Sequence, residues 1–290
     1  MGLYSRNMAM NMDYEHIQVD ALSTALGAEI SGVDLGKPLG SNLVTEIRQA
    51  FLDHQVIFFR DQSLTPEQYL RFAGSMGEPS VYPFVEGLEG YPEITEVIKE
   101  EDERVNFGGI WHSDTTYLEC PPMATMLYAR QVPPLGGDTV FANMNLAYES
   151  LSAGMQRLLD GLTAINSAQK DEAAATRADL LRQRPRDAGV TVTLAEHPIV
   201  RTHPETARKA LYVNPGHTLH MVGMSEAESA PILDYLYRHQ TRPEFTCRFR
   251  WRRDSLALWD NRCTQHYPIN DYHGYRRAMQ RITLAGDRPR

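Results

Sequence analysis

Apolar residues in the first quarter of the chain recur at helical spacing. Leu43, Ile47 and Phe51 are four positions apart and therefore share one helix face. Residues 65–68 (Thr-Pro-Glu-Gln) form a capping box with proline at the first helical position. A second capping box at 225–228 predicts a late helix, and residues 146–162 predict a helical region broken near 152–154.

Between these segments, short β-prone runs are separated by glycine and proline turns. The run 55–60 (Gln-Val-Ile-Phe-Phe-Arg) is typical of a buried central strand. Further strands are predicted at 17–19, 28–33, 94–98, 125–130, 139–143, 190–194, 197–202, 209–213, 245–251, 255–259 and 277–285. Many short strands with a few helices predict a mainly β fold with flanking helices, such as a sandwich or jelly roll.

The chain has neither an internal repeat nor a low-complexity linker, so residues 14–290 are expected to form one domain. Residues 1–13 are expected to be flexible. Residues 169–189 are charged, alanine-rich and weakly periodic, which predicts a surface excursion that acts as a lid.

Composition narrows the function classes. The 290 residues are 42% hydrophobic and 23% charged, as in ordinary globular proteins, with a formal net charge of −8. No basic run suggests a nucleic-acid partner, and no apolar stretch approaches the ~20 residues of a membrane span. Three widely spaced cysteines, Cys120, Cys247 and Cys263, indicate a reducing compartment. We therefore expect a cytoplasmic protein.

A candidate ligand pair lies in residues 111–114 (Trp-His-Ser-Asp). On an extended strand, residues i and i+2 point the same way, so His112 and Asp114 can face one point. They would supply two members of the 2-His-1-carboxylate triad that binds non-haem Fe(II) and leaves positions open. Because His-x-Asp is common by chance, a second histidine and an anion-binding arginine must support the assignment.

Both are found downstream. His266 follows the predicted strand 255–259 and the turn 260–262. Arg277 and Arg281 are an even number of positions apart on a predicted strand and so face one side. A buried arginine beside a metal is costly unless it meets a carboxylate, which a guanidinium binds in bidentate fashion. A dicarboxylate co-substrate is one partner that would meet this requirement.

Four motifs occur in a family-specific order: 111–114, 136–139 (Gly-Gly-Asp-Thr), 259–266 (Trp-Asp-Asn-Arg-Cys-Thr-Gln-His) and 275–281 (Tyr-Arg-Arg-Ala-Met-Gln-Arg). Through them the chain resembles, over nearly its whole length, the taurine dioxygenase and chlorophenoxyacetate dioxygenase family of Fe(II)/2-oxoglutarate-dependent oxygenases. The resemblance implies a double-stranded β-helix (jelly-roll) core with outer helices, and a homodimer or homotetramer.

The resemblance also implies roles for single residues. The implied iron ligands, and thus the catalytic residues, are His112, Asp114 and His266. Thr139, which alone would be an ordinary strand residue, and Arg277 match positions that bind 2-oxoglutarate. Arg281 matches the position that holds the anionic head of the substrate, and it can also contact 2-oxoglutarate. The implied reaction hydroxylates a small anionic organic substrate, such as a sulfonate, sulfate ester or aryloxyalkanoate. It consumes 2-oxoglutarate and O₂ and yields succinate and CO₂.

The substrate pocket departs from the sulfonate-cleaving members. They carry a histidine three positions before a Tyr-Pro pair, whereas Pro79 precedes Tyr82 here. Their asparagine four positions before the first iron histidine is replaced by Gly108, which is expected to leave room near the iron. His217 replaces an aromatic residue, either as a second polar contact or as a solvated loop residue. Taurine itself is therefore not expected as the substrate.

Two other function classes compete with the oxygenase. One is a non-catalytic metal-binding jelly-roll protein that senses a small acid, although a sensor has no need of Thr139 and Arg277. The other is a zinc hydrolase, because zinc accepts the same three ligands. Turnover of 2-oxoglutarate with Fe(II) and O₂ separates the three classes.

Overall fold

A computed structural model describes residues 14–171, 174–176 and 194–290. The predicted flexible segment 1–13 lies outside the described residues, as does the predicted strand 190–194 except for its last residue. So does most of the predicted lid at 169–189, of which 169–171 and 174–176 are described. Within the described ranges, no helix is both long and apolar enough to cross a membrane.

The strands form two main sheets and two smaller ones. In chain order they are β1 (Gln18–Ala21), β2 (Ala28–Ser31), β3 (Val56–Phe59), β4 (Pro79–Ser80), β5 (Thr95–Lys99), β6 (Ala124–Gln131), β7 (Thr139–Asn143), β8 (Thr163–Ser167), β9 (Leu194–Pro198), β10 (Val200–Thr202), β11 (Lys209–Leu211), β12 (Thr218–Met221), β13 (Thr246–Phe249), β14 (Leu256–Asp260), β15 (Thr264–Pro268) and β16 (Arg277–Leu284). The large sheet has the order β1-β2-β3-β14-β6-β16-β4, with β5 also paired to β16. The second main sheet is β13-β7-β15, and the smaller sheets are β12-β8-β9 and β10-β11.

An aromatic core lies between the two main sheets. Phe58 of β3 contacts Phe141 of β7 and Phe249 of β13, with ring centroids 5.6 and 3.9 Å apart. Trp259 of β14 contacts Phe141 across the same gap at 5.6 Å. The neighbouring Phe59 packs in a different cluster on the other face of the large sheet. Side chains of β3 therefore alternate between two cores, which explains its continuous apolar run.

Helices α1 (Ser41–His54) and α2 (Pro66–Met76) cover the outer face of the large sheet. The capping box predicted for α2 is present. The Oγ1 of Thr65 accepts from the Gln68 amide at 3.2 Å, and the Gln68 side chain accepts from the Thr65 amide at 2.8 Å. Local backbone chemistry thus fixes the start of this helix.

The remaining helices pack with the smaller sheets in a separate core. The predicted break between helices near 152–154 is confirmed by α3 (Met144–Glu149) and α4 (Ala153–Leu159), the second of which is capped by Ser152. The late helix, α5 (Glu226–Gln240), has the predicted capping box at Ser225.

Four strands have no counterpart among the predicted ones. One is β4, which has only two residues, and the others are β8, β12 and β15, in which several buried positions carry polar residues. Asn166 and Ser167 are buried in β8, Thr218 in β12, and Gln265 and His266 in β15. A search for apolar alternation cannot detect strands whose buried side is polar.

Candidate active site

The backbone brings His112 and His266 together. They form an isolated antiparallel bridge in which the amide of each donates to the carbonyl of the other, at 3.1 and 2.9 Å. Residues 112–114 meet β15 through this bridge and do not form a strand of their own. The predicted convergence nevertheless occurs, because His112 Nε2 and Asp114 Oδ1 lie 3.7 Å apart. One nitrogen or oxygen from each of the three residues lies within 4.8 Å of the others.

The two imidazoles are suited to bind a cation. His112 Nδ1 lies 2.7 Å from the carbonyl oxygen of Ile110. Because a carbonyl can only accept, Nδ1 carries the proton in this contact and Nε2 keeps its lone pair on the side of Asp114. Burial holds the pKa of His266 well below its usual value. His266 is therefore neutral near pH 7, as a metal ligand must be.

Hydrogen bonds from the core orient Asp114. Thr125 Oγ1 donates to Asp114 Oδ2 at 2.6 Å and accepts from Asn261 Nδ2 at 2.8 Å. Asn261 Oδ1 accepts from Trp259 Nε1 at 3.0 Å and from the Asp114 amide at 3.4 Å. Asn261 thus does more than shape the turn before β15, since it links two strands to the carboxylate.

Arg281 neutralises the same carboxylate. Its Nη2 lies 2.8 Å from Asp114 Oδ1 in a buried ion pair. Burial alone would raise the pKa of Asp114, but the charge of Arg281 and the hydrogen bond from Thr125 oppose burial, and that pKa lies far below its usual value. Asp114 is therefore ionised, and its Oδ1 retains a lone pair beyond the one facing Arg281.

Two cavities meet at this point, and His112, Asp114 and Arg281 line both. The first, called the Arg277 cavity, is further lined by Val97, Phe107, Gly108, Leu127, Thr139, Trp259, His266, Pro268 and Arg277. The second, called the Tyr82 cavity, is further lined by Tyr82, Phe107, Gly108, Ile110, Thr115, Tyr117, Thr176 and His217. The candidate metal ligands therefore lie at the boundary of two binding spaces.

The Arg277 cavity offers donors for a carboxylate. Arg277 is buried, and its Nε and Nη2 have no hydrogen-bond partner among the described residues. Burial lowers its pKa, which shows that the cation is poorly compensated. Trp251 Nε1 donates to Thr139 Oγ1 at 2.9 Å, so the Thr139 hydroxyl proton is available for another acceptor. Both residues predicted to bind 2-oxoglutarate thus lie in one cavity with unused donors.

The Tyr82 cavity combines a cation with apolar walls. The guanidinium carbon of Arg281 lies 5.0 Å from the centroid of the Tyr82 ring. His217 is buried, and its ring meets that of Tyr117 edge-on at 5.0 Å. The alternative of a solvated loop residue is therefore wrong for His217. A cation among aromatic rings suits an organic anion with an apolar body.

Comparison with known proteins identifies the family. The model of the "Taurine catabolism dioxygenase TauD, TfdA family" matches residues 18–283. The chain belongs to this family. An alkylsulfatase of Acinetobacter baylyi is 36% identical over 278 residues, which cover 94% of this chain and 86% of the relative. An alpha-ketoglutarate-dependent sulfate ester dioxygenase of Pseudomonas putida is 37% identical over 279 residues, which cover 94% and 91%.

A solved structure extends the comparison to the fold. The crystal structure of a taurine dioxygenase from Burkholderia xenovorans matches with a TM-score of 0.79 and 38% identity, covering 94% of this chain and 91% of that one. The predicted family, jelly-roll fold class and 2-oxoglutarate-dependent oxygenase class are thereby confirmed. The non-catalytic sensor is disfavoured, because the relatives are dioxygenases.

In this TauD/TfdA family member, Gly108 does not simply leave free space. It has a φ of +69°, and an added Cβ would lie 2.8 Å from Cε1 and 3.2 Å from Nε2 of His112. The imidazole of His112 thus occupies the space beside Gly108 that was expected to be free. Glycine is required here for both conformation and contact.

A second group of potential ligands in the dioxygenase, His203, Asp260 and Cys263, has a structural role. Arg262 contacts both oxygens of Asp260 at 2.8 and 2.7 Å, and His203 Nε2 donates to Oδ2 at 3.0 Å. The other ring nitrogen of His203 accepts from two backbone amides. With these atoms engaged, the group stabilises the turn that leads to His266.

Sequence reasoning missed two residues of the dioxygenase site, Thr125 and Trp251. Thr125 is the second residue of β6 and Trp251 follows β13, so each resembles ordinary strand sequence. Their contacts with Asp114 and Thr139 span 11 and 112 positions. No local spacing could have marked them.

Proposed function

We propose that this chain is an Fe(II)/2-oxoglutarate-dependent dioxygenase that hydroxylates a small organic acid, with an alkyl sulfate ester as the best-fitting substrate. The observation that carries the proposal is Arg281, which pairs with Asp114 and lines a cavity with aromatic walls. Two relatives with 36% and 37% identity have names that refer to sulfate ester chemistry, which supports this substrate class.

His112, Asp114 and His266 would hold the iron. Their donor set of two imidazole nitrogens and one carboxylate oxygen is that of non-haem Fe(II) oxygenases. Bound Fe(II) supplies the oxidation of 2-oxoglutarate by O₂, which delivers one oxygen atom to the substrate and yields succinate and CO₂. The unpartnered nitrogens of Arg277 and the hydroxyl of Thr139 fit the distal carboxylate of the co-substrate.

The chain itself would bind and orient the substrate. A guanidinium carries five N–H donors, so Arg281 can keep Asp114 and also bind an anionic group. The rings of Tyr82, Phe107 and Tyr117 would cover the alkyl part and exclude water from the reacting carbon. Orientation by the anionic head would present the carbon next to the ester oxygen.

Hydroxylation at that carbon leads to release of sulfate. The new hydroxyl loses its proton, its electron pair forms the C=O bond of an aldehyde, and the C–O bond to sulfate breaks. The proton and the leaving sulfate together make hydrogen sulfate. The products are therefore an aldehyde, hydrogen sulfate, succinate and CO₂.

The test uses purified protein with Fe(II), ascorbate, 2-oxoglutarate and hexyl sulfate in air. Hexanal, sulfate and succinate are expected in equal amounts. Hexanesulfonate and an aryloxyacetate serve as alternative acids. Failure of every acid to stimulate succinate formation above the background would contradict the proposal.

Two controls sharpen this test. A zinc hydrolase would release hexanol and sulfate without O₂, so the organic product separates the mechanisms. His112→Ala should abolish iron binding and turnover, whereas His273→Ala, at an exposed position, should retain both. Equal activity in the two variants would remove His112 from the triad.

Location and assembly remain predictions. The three free cysteines, of which Cys247 and Cys263 are buried, support a reducing cytoplasmic compartment. A homodimer or homotetramer rests on the family resemblance, and measurement of the mass in solution would test it.

A further inference from the structure

Thr115 directly follows Asp114, and the residue lines the Tyr82 cavity. The residue is 5% exposed, and its Oγ1 has no hydrogen-bond partner among the described residues. A buried hydroxyl without a partner is unfavourable, so its presence calls for an explanation. The cavity is the space from which a partner can come.

The next residue provides a contrast. Thr116 Oγ1 accepts from Asn214 Nδ2 at 3.2 Å and lies 3.2 Å from His217 Nδ1. These two adjacent buried threonines therefore differ in whether a described residue forms a hydrogen bond with the hydroxyl. The protein satisfies the hydroxyl of Thr116, whereas the hydroxyl of Thr115, beside the predicted metal ligands, has no partner in the part of the chain that the structure describes.

The backbone of Thr115 gives a second, independent observation. Its φ is +46°, in the left-handed region that β-branched residues rarely adopt. The Thr115 carbonyl accepts from the Leu118 amide at 3.0 Å, which closes a tight turn. Glycine would form such a turn with less strain. Strained residues cluster at functional sites, so the threonine side chain has a use of its own.

We propose that the Thr115 hydroxyl donates a hydrogen bond to the anionic group bound by Arg281, and that it selects sulfate or sulfonate over carboxylate. A guanidinium edge binds two oxygens at once. Both oxygens of a carboxylate are then used, whereas a sulfate ester has a third terminal oxygen that needs a donor. The inference rests on the proposed function, because it takes Arg281 as the anion-binding residue.

The test measures binding rather than turnover. Hexyl sulfate and heptanoate are titrated calorimetrically into the anaerobic protein loaded with Fe(II) and 2-oxoglutarate. Thr115→Val keeps the side-chain shape and loses the hydroxyl, so the affinity for hexyl sulfate should fall roughly tenfold, and that for heptanoate less than twofold. Thr115→Ser keeps a hydroxyl and should restore sulfate binding.

Unfolding measurements separate this role from a structural one. Thr115→Val should not lower the melting temperature, since no hydrogen bond to a described residue is lost, whereas Thr116→Val should lower it. Unchanged sulfate affinity in Thr115→Val, or equal losses for sulfate and carboxylate, would overturn the inference. If wild-type protein binds hexyl sulfate without oxidising it, the proposed reaction fails while the binding series still decides the role of Thr115. If wild-type protein binds neither anion, the inference falls together with the proposed substrate class.

Discussion

Replacement of Arg277 by methionine should stabilise the unliganded protein and remove its response to 2-oxoglutarate. Arg277 is buried, and two of its nitrogens have no partner among the described residues. Each unsatisfied donor costs about 1–3 kcal/mol, whereas loss of the contact with Trp251, whose ring centroid lies 5.7 Å from the guanidinium carbon, costs about 1 kcal/mol. Methionine keeps most of the apolar stem. The net gain in unfolding free energy should be about 1–5 kcal/mol.

The liganded protein should behave in the opposite way. Two charge-assisted hydrogen bonds to the distal carboxylate contribute about 1.5–3 kcal/mol each. Their loss should weaken binding of 2-oxoglutarate by at least about 3 kcal/mol, or roughly 150-fold. Saturating 2-oxoglutarate stabilises the wild type through mass action, so the order of stability of the two proteins should reverse.

Urea unfolding under anaerobic conditions with Fe(II), at several 2-oxoglutarate concentrations, measures both effects. Arg276→Met is the matched control, because Arg276 is adjacent but contacts Glu100 and Gln131 at the surface. Its ion pair is worth about 1 kcal/mol or less, and its removal should leave the response to 2-oxoglutarate intact.

Two results would refute this reasoning. If Arg277→Met were clearly less stable than the wild type without ligand, the guanidinium would have a structural partner. If 2-oxoglutarate stabilised Arg277→Met and the wild type equally, the co-substrate would bind elsewhere.

Three further predictions follow from other parts of the structure. Asn261→Ala should weaken metal binding about 10–100-fold, because the hydrogen bonds that orient the Asp114 carboxylate are lost. Titration with metal measures this affinity, and an unchanged value would contradict the prediction. Gly108→Ala should lower both stability and metal affinity, because the added methyl group would contact His112. Gly90→Ala, also at positive φ but facing open space, should lower stability alone. Equal metal affinities of these two variants would exclude the contact with His112. Burial holds the pKa of His197 below its ordinary value, so unfolding takes up a proton as the pH falls below about 6.5. As the pH falls, the unfolding free energy of the wild type should therefore decrease more steeply than that of His197→Gln, by up to about 1.4 kcal/mol per pH unit. The same pH dependence in both proteins, measured by urea unfolding, would show that His197 makes no such contribution.

Local sequence signals identified much of the fold. The capping boxes at Thr65 and Ser225 start α2 and α5, because caps depend on neighbouring backbone groups. The run before α2 formed a central strand as predicted. β15 was not predicted, because its buried side chains, including His266 of the candidate site, are polar. Function and hydrophobic patterning conflict in such segments.

The site was predictable as a set of residues and less so as a geometry. The spacing of His112 and Asp114 pointed to convergence, which the structure achieves through a bridge and a turn. The support of Asp114 by Asn261 crosses 147 positions, and the conformation of Thr115 depends on the turn after it. These features arise from tertiary contacts, and no local pattern encodes them.

β16 has a consequence for how specificity can change. It carries Arg277 and Arg281 four residues apart, and pairs with β5 and β6 on its two sides. At about 3.3 Å per residue, their Cα atoms are separated by about 13 Å along one strand. A one-residue insertion between them would turn one guanidinium to the opposite face of the sheet. The strand therefore fixes the spacing between Arg277 and Arg281, and we expect changes of substrate to come from the loops that carry Tyr82 and Thr115.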